Sequence, residues 1–299
     1  MRVFYPDIDD LPLPVGHRFP ASKYRLLRDA VLDEGLLRAE SLLPSPLASR
    51  EELLRAHAAE YVDAVLDGTL DRDSVRRIGL PWSPVLARRA RLTVGGTLAA
   101  ARSALETGVS GQLAGGTHHA HRTFGSGYCV FNDLAVAALT VLDEGRVERI
   151  AVLDVDVHQG DGTAAILDPD TRTFVVSLHG AKNFPFHRVP SDLDVELPDG
   201  TQDRAYLDAL ADVMPAIDAF RPDLLLYLSG VDPLREDRLG RLALTHDGLG
   251  ERDRFVFEHC RRRGLPVSIA IGGGYADPIT ASVAAYVNTF RVARAVFRV

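Results

Sequence analysis

The sequence predicts an α/β fold with a mostly parallel central sheet sandwiched between helical layers. Two observations carry that prediction. Short β-rich runs alternate with helical stretches, and the runs are nearly continuous in apolar residues, as strands covered on both faces must be. A third observation concerns function: every notable polar cluster follows one of these runs, and parallel α/β sheets bind ligands at the carboxyl ends of their strands.

The β-like runs are Arg149–Val157, Thr173–Leu178, Leu224–Leu228 and Val267–Ile271. Their lengths and nearly continuous apolar content suit buried strands. Helical spacing separates them. Over Phe131–Glu144, Leu134, Ala138, Val141 and Leu142 share one face, and Gly145 supplies a stop signal. Over Asp203–Phe220, Tyr206, Leu210, Val213, Ile217 and Phe220 form a similar stripe. Pro215 is expected to kink or divide that helix, because it removes a backbone donor. The first hundred residues are more loop-rich, with Pro6, Pro12, Pro14 and Pro20, but no linker composition sets them apart. One domain over residues 1–299 is expected.

The net charge of −7 excludes a general nucleic-acid surface, which needs a basic stripe. No apolar run approaches the roughly 20 residues that span a bilayer. The acidic stretch Met1–Asp10 is not signal-peptide chemistry. The two cysteines, Cys129 and Cys260, lie too far apart for a C-x-x-C site, so a reducing cytoplasm is the expected location.

Four segments carry chemistry. In Asp154-Val155-Asp156-Val157-His158, residues two apart share a strand face, which aligns two carboxylates and an imidazole. Such a buried set needs compensation, and a divalent cation supplies it. Gly115-Gly116-Thr117-His118-His119 brings a histidine pair to a strand end, where one can act as general base. Leu228-Ser229-Gly230-Val231-Asp232 adds a third carboxylate, with Asp237 near it in sequence. Ile271-Gly272-Gly273-Gly274-Tyr275 lets backbone approach a ligand closely and ends in a hydroxyl able to stabilise an oxyanion. Each feature has an ordinary reading as a cap, a packed ring or a surface histidine; together they point to a metal hydrolase.

In order and spacing, these segments resemble the histone deacetylase and acetylpolyamine amidohydrolase superfamily. The resemblance runs from Gly115 to Tyr275 through GGTHHAHRTFGSGYCVFNDLA, DVDVHQGDGT, SGVDPLREDRLG and GGGY. It implies a three-layer arginase–deacetylase fold and metal-dependent hydrolysis of N-acyl lysine amides. It implies zinc, or Fe(II), on Asp156, His158 and Asp232. His119 would be general base and then acid, His118 its electrostatic partner, and Tyr275 the carbonyl-polarising hydroxyl. Asp161 would orient His119, and Asp154 would orient His118. Gly127, Tyr128, Phe186 and Gly273 would line the acyl-lysine channel. A structural K⁺ would sit among Asp154, Asp156, His158, Ser177 and Leu178.

Gln159, where many members of that superfamily carry histidine, together with the compact length, resembles the class IV branch and its bacterial relatives. That branch is associated with long-chain deacylation as well as deacetylation. An acylated protein lysine is the expected partner, and an acylated polyamine the alternative. A dimanganese ureohydrolase would need D-x-H-x-D order, whereas this chain has D-x-D-x-H. A non-catalytic acyl-lysine binder would be expected to have lost a ligand, the histidine pair or the tyrosine.

Overall fold

The computed structural model describes residues 1–6 and 11–299; the acidic stretch noted above therefore lies partly outside the described residues, at positions 7–10. The strands are β1 (Val3–Tyr5), β2 (Leu42–Pro44), β3 (Val109–Gln112), β4 (Ile150–Asp154), β5 (Thr173–Gly180), β6 (Leu193–Leu197), β7 (Leu224–Leu228) and β8 (Val267–Ala270). The helices are α1 (Ser22–Asp33), α2 (Arg50–Leu54), α3 (Ala59–Asp67), α4 (Arg72–Ile78), α5 (Pro84–Thr107), α6 (Asp133–Asp143), α7 (Asp161–Leu167), α8 (Asp203–Phe220), α9 (His246–Arg263) and α10 (Thr280–Phe297).

The strands form one sheet in the order β2-β1-β3-β8-β7-β4-β5-β6, every pair parallel. Alternate residues feed two cores. In β4, Ala151 and Leu153 face one cluster with Tyr206, Val256 and Phe290 from α8, α9 and α10. Ile150 and Val152 face the other, with Leu98, Leu134 and Val141 from α5 and α6. This two-sided burial is why β4 and β7 read as unbroken apolar runs, and it gives the predicted helix–sheet–helix layering. Each fully buried Leu or Val contributes roughly 1.5–3 kcal/mol of transfer free energy, so the central strands anchor whatever hangs from their ends.

Local chemistry sets the helix ends. Ser83 accepts from Leu86 N at 3.1 Å to cap α5, Pro84 occupies its first turn, and Gly108 closes it in the left-handed conformation. Asn132 accepts from Ala135 N at 2.9 Å to start α6.

Two expectations need correction. Helix α8 is not divided at Pro215 but runs through it. Pro215 lies on the exposed side beside Ala211 and Asp212, so water can satisfy the carbonyl that loses its partner. Strand β4 ends at Asp154, three residues earlier than the apolar run suggested. Carboxylates take over the backbone beyond it: Asp156 N donates to Asp154 Oδ1 (3.1 Å), Val157 N to Asp232 Oδ1 (2.9 Å) and His158 N to Asp156 Oδ1 (2.9 Å). Asp156 and His158 therefore ride on a turn, not on a strand face.

Among the described residues no helix is long and apolar enough to cross a membrane. Both cysteines are free and buried.

Candidate metal centre and its cavity

The sheet order makes β3, β8, β7 and β4 consecutive neighbours, so the four polar segments meet at one end of the sheet. Three of them open onto a cavity of about 750 Å³ lined by His118, His119, Asp156, His158, Gly273 and Tyr275, among others, while Asp232 lies buried against Asp156 and His158.

Asp156, His158 and Asp232 each offer a donor atom within 4.8 Å of one another, and all three are buried. His158 Nδ1 lies 2.9 Å from Asp156 Oδ1 and 3.1 Å from Asp232 Oδ2. Burial and the neighbouring Asp156 charge push Asp232 up to about 7. Its Oδ2 is buried and accepts no hydrogen bond, because the hydrogen bond of His158 Nδ1 goes to Asp156 Oδ1. A divalent cation answers each point: it neutralises two crowded carboxylates and occupies the orphaned oxygen. Backbone presses closely around the set. A Cβ on Gly273 would come within 1.8 Å of Asp232 Oδ2, and one on Gly272 within 2.6 Å of Asp156 Oδ2. Gly273 N donates to Asp156 Oδ2 at 2.6 Å. The residues present thus fit the expected ion.

Asp154 does not join that set. Its Oδ2 lies 2.6 Å from His118 Nδ1. Burial alone would lower His118, but the charge and hydrogen bond of Asp154 outweigh it and raise His118 to about 9. His119 Nδ1 lies 2.6 Å from Asp161 Oδ1, while burial and the adjacent His118 charge lower His119 to about 4. Two neighbouring imidazoles are thereby driven to opposite protonation states at neutral pH. Tyr275 is held through its backbone N, which donates to Asp237 Oδ2 at 2.6 Å. Burial and nearby Tyr24 and Asp156 push its phenol well above the ordinary value, so the hydroxyl keeps its proton.

The channel wall is built from unusual backbone. Gly127 (φ +54°) and Tyr128 (φ +67°) are both left-handed, a costly conformation for tyrosine. Tyr128 N donates to Ile78 O at 2.7 Å, and the Tyr128 ring lies 6.2 Å from that of Tyr275. Phe186 sits at the mouth, 83 % exposed. The ring packed edge-on against His119, at 4.8 Å, belongs to Phe184.

The K⁺ expectation gains no support. Asp154 pairs with Ser177 across β4 and β5, but the Ser177 hydroxyl lies 3.0 Å from His179 Nδ1.

Sequence reasoning missed several supports. Asp133 accepts from Gly116 N (3.0 Å), Thr117 N (2.7 Å) and Thr97 Oγ1 (2.6 Å), pinning the histidine loop to α6. His121 Nε2 shares Asp161 with His119, at 2.9 Å. Arg252, fully buried, donates to Gly230 O (2.6 Å) and Ser229 O (3.2 Å) and so braces the loop carrying Asp232. A buried charged residue inside an amphipathic helix was the only available signal for Arg252.

The chain matches the histone deacetylase domain over residues 17–290. It belongs to the histone deacetylase family. Over 296 residues this family member is 44 % identical to an uncharacterized protein of Picosynechococcus sp., covering 99 % of this chain and 98 % of that protein. It is 28 % identical to histone deacetylase 2 of Arabidopsis thaliana, covering 90 % and 72 % of the two chains. Its structure is similar to the crystal structure of the HDA15 HD domain, with a TM-score of 0.80, 23 % identity and coverage of 99 % and 88 %. That likeness establishes the arginase–deacetylase fold, and membership of the family suggests a hydrolase with deacetylase activity.

Proposed function

We propose that this histone deacetylase family member hydrolyses N-acyl lysine amides, acetyl or longer, with one divalent ion, zinc or Fe(II), on Asp156, His158 and Asp232. The observation that carries the reading is the buried three-donor cluster with its orphaned Asp232 oxygen, two of whose members, Asp156 and His158, line one cavity with a neutral His119 and the Tyr275 ring. An ion bound there would polarise an acyl carbonyl and acidify a water. Asp161 fixes the proton of His119 on Nδ1, which leaves Nε2 to take a proton from the attacking water. His119 then returns it to the departing lysine nitrogen. The raised pKa of His118 keeps a positive charge beside the oxygen that gains charge. Tyr275 donates a hydrogen bond from its hydroxyl to that same oxygen and keeps its proton. The Gly127 carbonyl accepts from the scissile amide N–H, and Tyr128 and Phe184 flank the lysine stem, with Phe186 at the mouth.

A peptide substrate is favoured over a polyamine by the charge of the cavity lining. Among the described residues it carries Arg77, Arg89, Lys182, Arg238 and Arg241, and apart from Asp156 no carboxylate. A polyamine's free ammonium groups would meet cations there. The two buried free thiols accord with a cytoplasmic setting. A turnover panel of acetyl-, octanoyl- and myristoyl-lysine peptides beside acetylputrescine, with and without a chelator, tests the reading. Peptide turnover abolished by the chelator is expected; preference for acetylputrescine would redirect it to small molecules.

A further inference from the structure

The buried side of the cavity carries a cation that the hydrolysis itself does not use. Arg89, on α5, lines the cavity and is 9 % exposed. Its Nη2 is buried without a hydrogen-bond partner, and among the described residues Arg89 has no carboxylate partner. Its neighbours are rings: the guanidinium carbon lies 4.1 Å from the Tyr24 centroid and 5.8 Å from that of Phe19. Lys23 lies against the other side of this region. It is 1 % exposed, donates to Gly272 O at 3.2 Å, and sits 5.2 and 5.3 Å from the Tyr24 and Tyr275 centroids. Two buried cations thus flank Tyr24 with no acidic side chain to balance them among the described residues.

Such an arrangement needs a reason. A guanidinium carries five N–H donors in a planar fork, and leaving them unmet away from water is costly. Ring faces attract a cation but do not accept its hydrogen bonds as oxygen does. The partner that matches the fork is a carboxylate, taken through two parallel hydrogen bonds. The acyl group of a substrate whose amide reaches Tyr275 must extend into this same cavity. An acyl chain ending in methyl offers Arg89 nothing; one ending in a carboxylate completes it.

We propose that Arg89 receives a carboxylate on the buried side of the cavity, namely the far-end carboxyl of a dicarboxylic acyl group such as succinyl or glutaryl on the substrate lysine. The acyl-group assignment rests on the hydrolase reading above; the carboxylate site itself does not. The free acid released by hydrolysis carries the same chemistry and is the other source of such a group.

Two measurements, made on wild type and on Arg89→Met, separate these sources. The first is kcat/KM for succinyl-, glutaryl-, butyryl- and acetyl-lysine peptides on metal-loaded enzyme. The second is calorimetric titration of metal-free protein with N-methylsuccinamate, and separately with butyrate, so that no carboxylate can bind through the metal. Thermal unfolding confirms that Arg89→Met is folded, and Arg89→Lys provides a second variant that keeps the charge. The proposal expects succinyl- or glutaryl-lysine to exceed butyryl-lysine by about 10- to 100-fold in wild type, with that ratio collapsing in Arg89→Met and partly retained in Arg89→Lys. It also expects N-methylsuccinamate to bind wild type at least tenfold more tightly than Arg89→Met. Arg89-dependent binding of butyrate, with a succinyl-to-butyryl ratio near one, would overturn the acyl assignment in favour of the released acid. Binding and ratio both indifferent to Arg89 would overturn the site altogether. Arg89-dependent binding of N-methylsuccinamate, with no turnover of any peptide including acetyl-lysine, would sustain the carboxylate site while refuting the hydrolase reading.

Discussion

His119 Nδ1 lies 2.6 Å from Asp161 Oδ1, and the other oxygen of that carboxylate lies 2.9 Å from His121 Nε2. Burial pushes the Asp161 carboxyl up, but the two imidazole hydrogen bonds outweigh it and hold the group below the ordinary carboxylate range. One buried anion therefore sets the tautomer and the basicity of His119 together. Asp161→Asn keeps an acceptor but removes the charge that makes His119 a better base. The expected result is a 10- to 100-fold fall in kcat. The acid limb of the pH–rate profile should move to lower pH, because a less basic imidazole loses its proton at lower pH. A pH–rate comparison of the two proteins reads both effects.

At Gly273 the backbone comes close to the carboxylates proposed to hold the ion. Its missing Cβ would lie 1.8 Å from Asp232 Oδ2. Gly273→Ala must displace that oxygen while leaving the core strands intact. Zinc affinity, measured by competition with a chromophoric chelator, is expected to fall at least tenfold, with the circular dichroism spectrum preserved. Unchanged affinity would mean that Asp232 Oδ2 does not contact the ion.

Tyr275 contributes a hydroxyl that stays protonated at any working pH. Tyr275→Phe removes that one donor and retains the ring against Tyr128. Turnover should drop on the order of 10²–10³-fold, as for a lost oxyanion donor, with KM changed little. A variant turning over at near the wild-type rate would remove Tyr275 from the chemistry.

His57 lies outside the cavity lining but supports the loops beneath it. Its Nε2 accepts from Asn132 N at 2.9 Å, and its Nδ1–H donates to His121 O at 2.9 Å, an arrangement that only the neutral ring satisfies. Burial lowers its pKa from 6.5 to about 4. The folded value lies below the unfolded one, so the unfolded chain binds more protons between pH 6.5 and 4. The contribution is fully present above about pH 6.5 and is lost as pH falls toward 4, amounting to about 3 kcal/mol. Urea unfolding from pH 7 to 4 should therefore show a shallower pH dependence for His57→Gln than for wild type, whatever its stability at pH 7.

The sequence made the central fold readable because β4, β5, β7 and β8 are buried on both sides and so are nearly pure apolar runs. It did not reveal β1, β2, β3 and β6, which are short or carry Gly, Ser, Pro and acidic residues that mask the period. At the site, Asp156, His158 and Asp232 lie close enough together to hold an ion, and His118 pairs with Asp154 and His119 with Asp161, the neighbours that the resemblance implies. Geometry alone gave the strand reading of Asp154, Asp156 and His158, and it failed because carboxylate-to-backbone hydrogen bonds end the strand at Asp154. Asp133, Arg252 and His57 were hidden for another reason. Each acts by accepting from or donating to backbone far away in sequence, and no local pattern marks such a partner.

Metal titration of the chelator-stripped protein against acetyl-lysine peptide turnover tests the central claim most directly. One equivalent of zinc or Fe(II) per chain should restore full activity, and Asp232→Asn should not be rescued at the same concentration. Full turnover by the stripped protein, or a requirement for two equivalents per chain, would contradict the account.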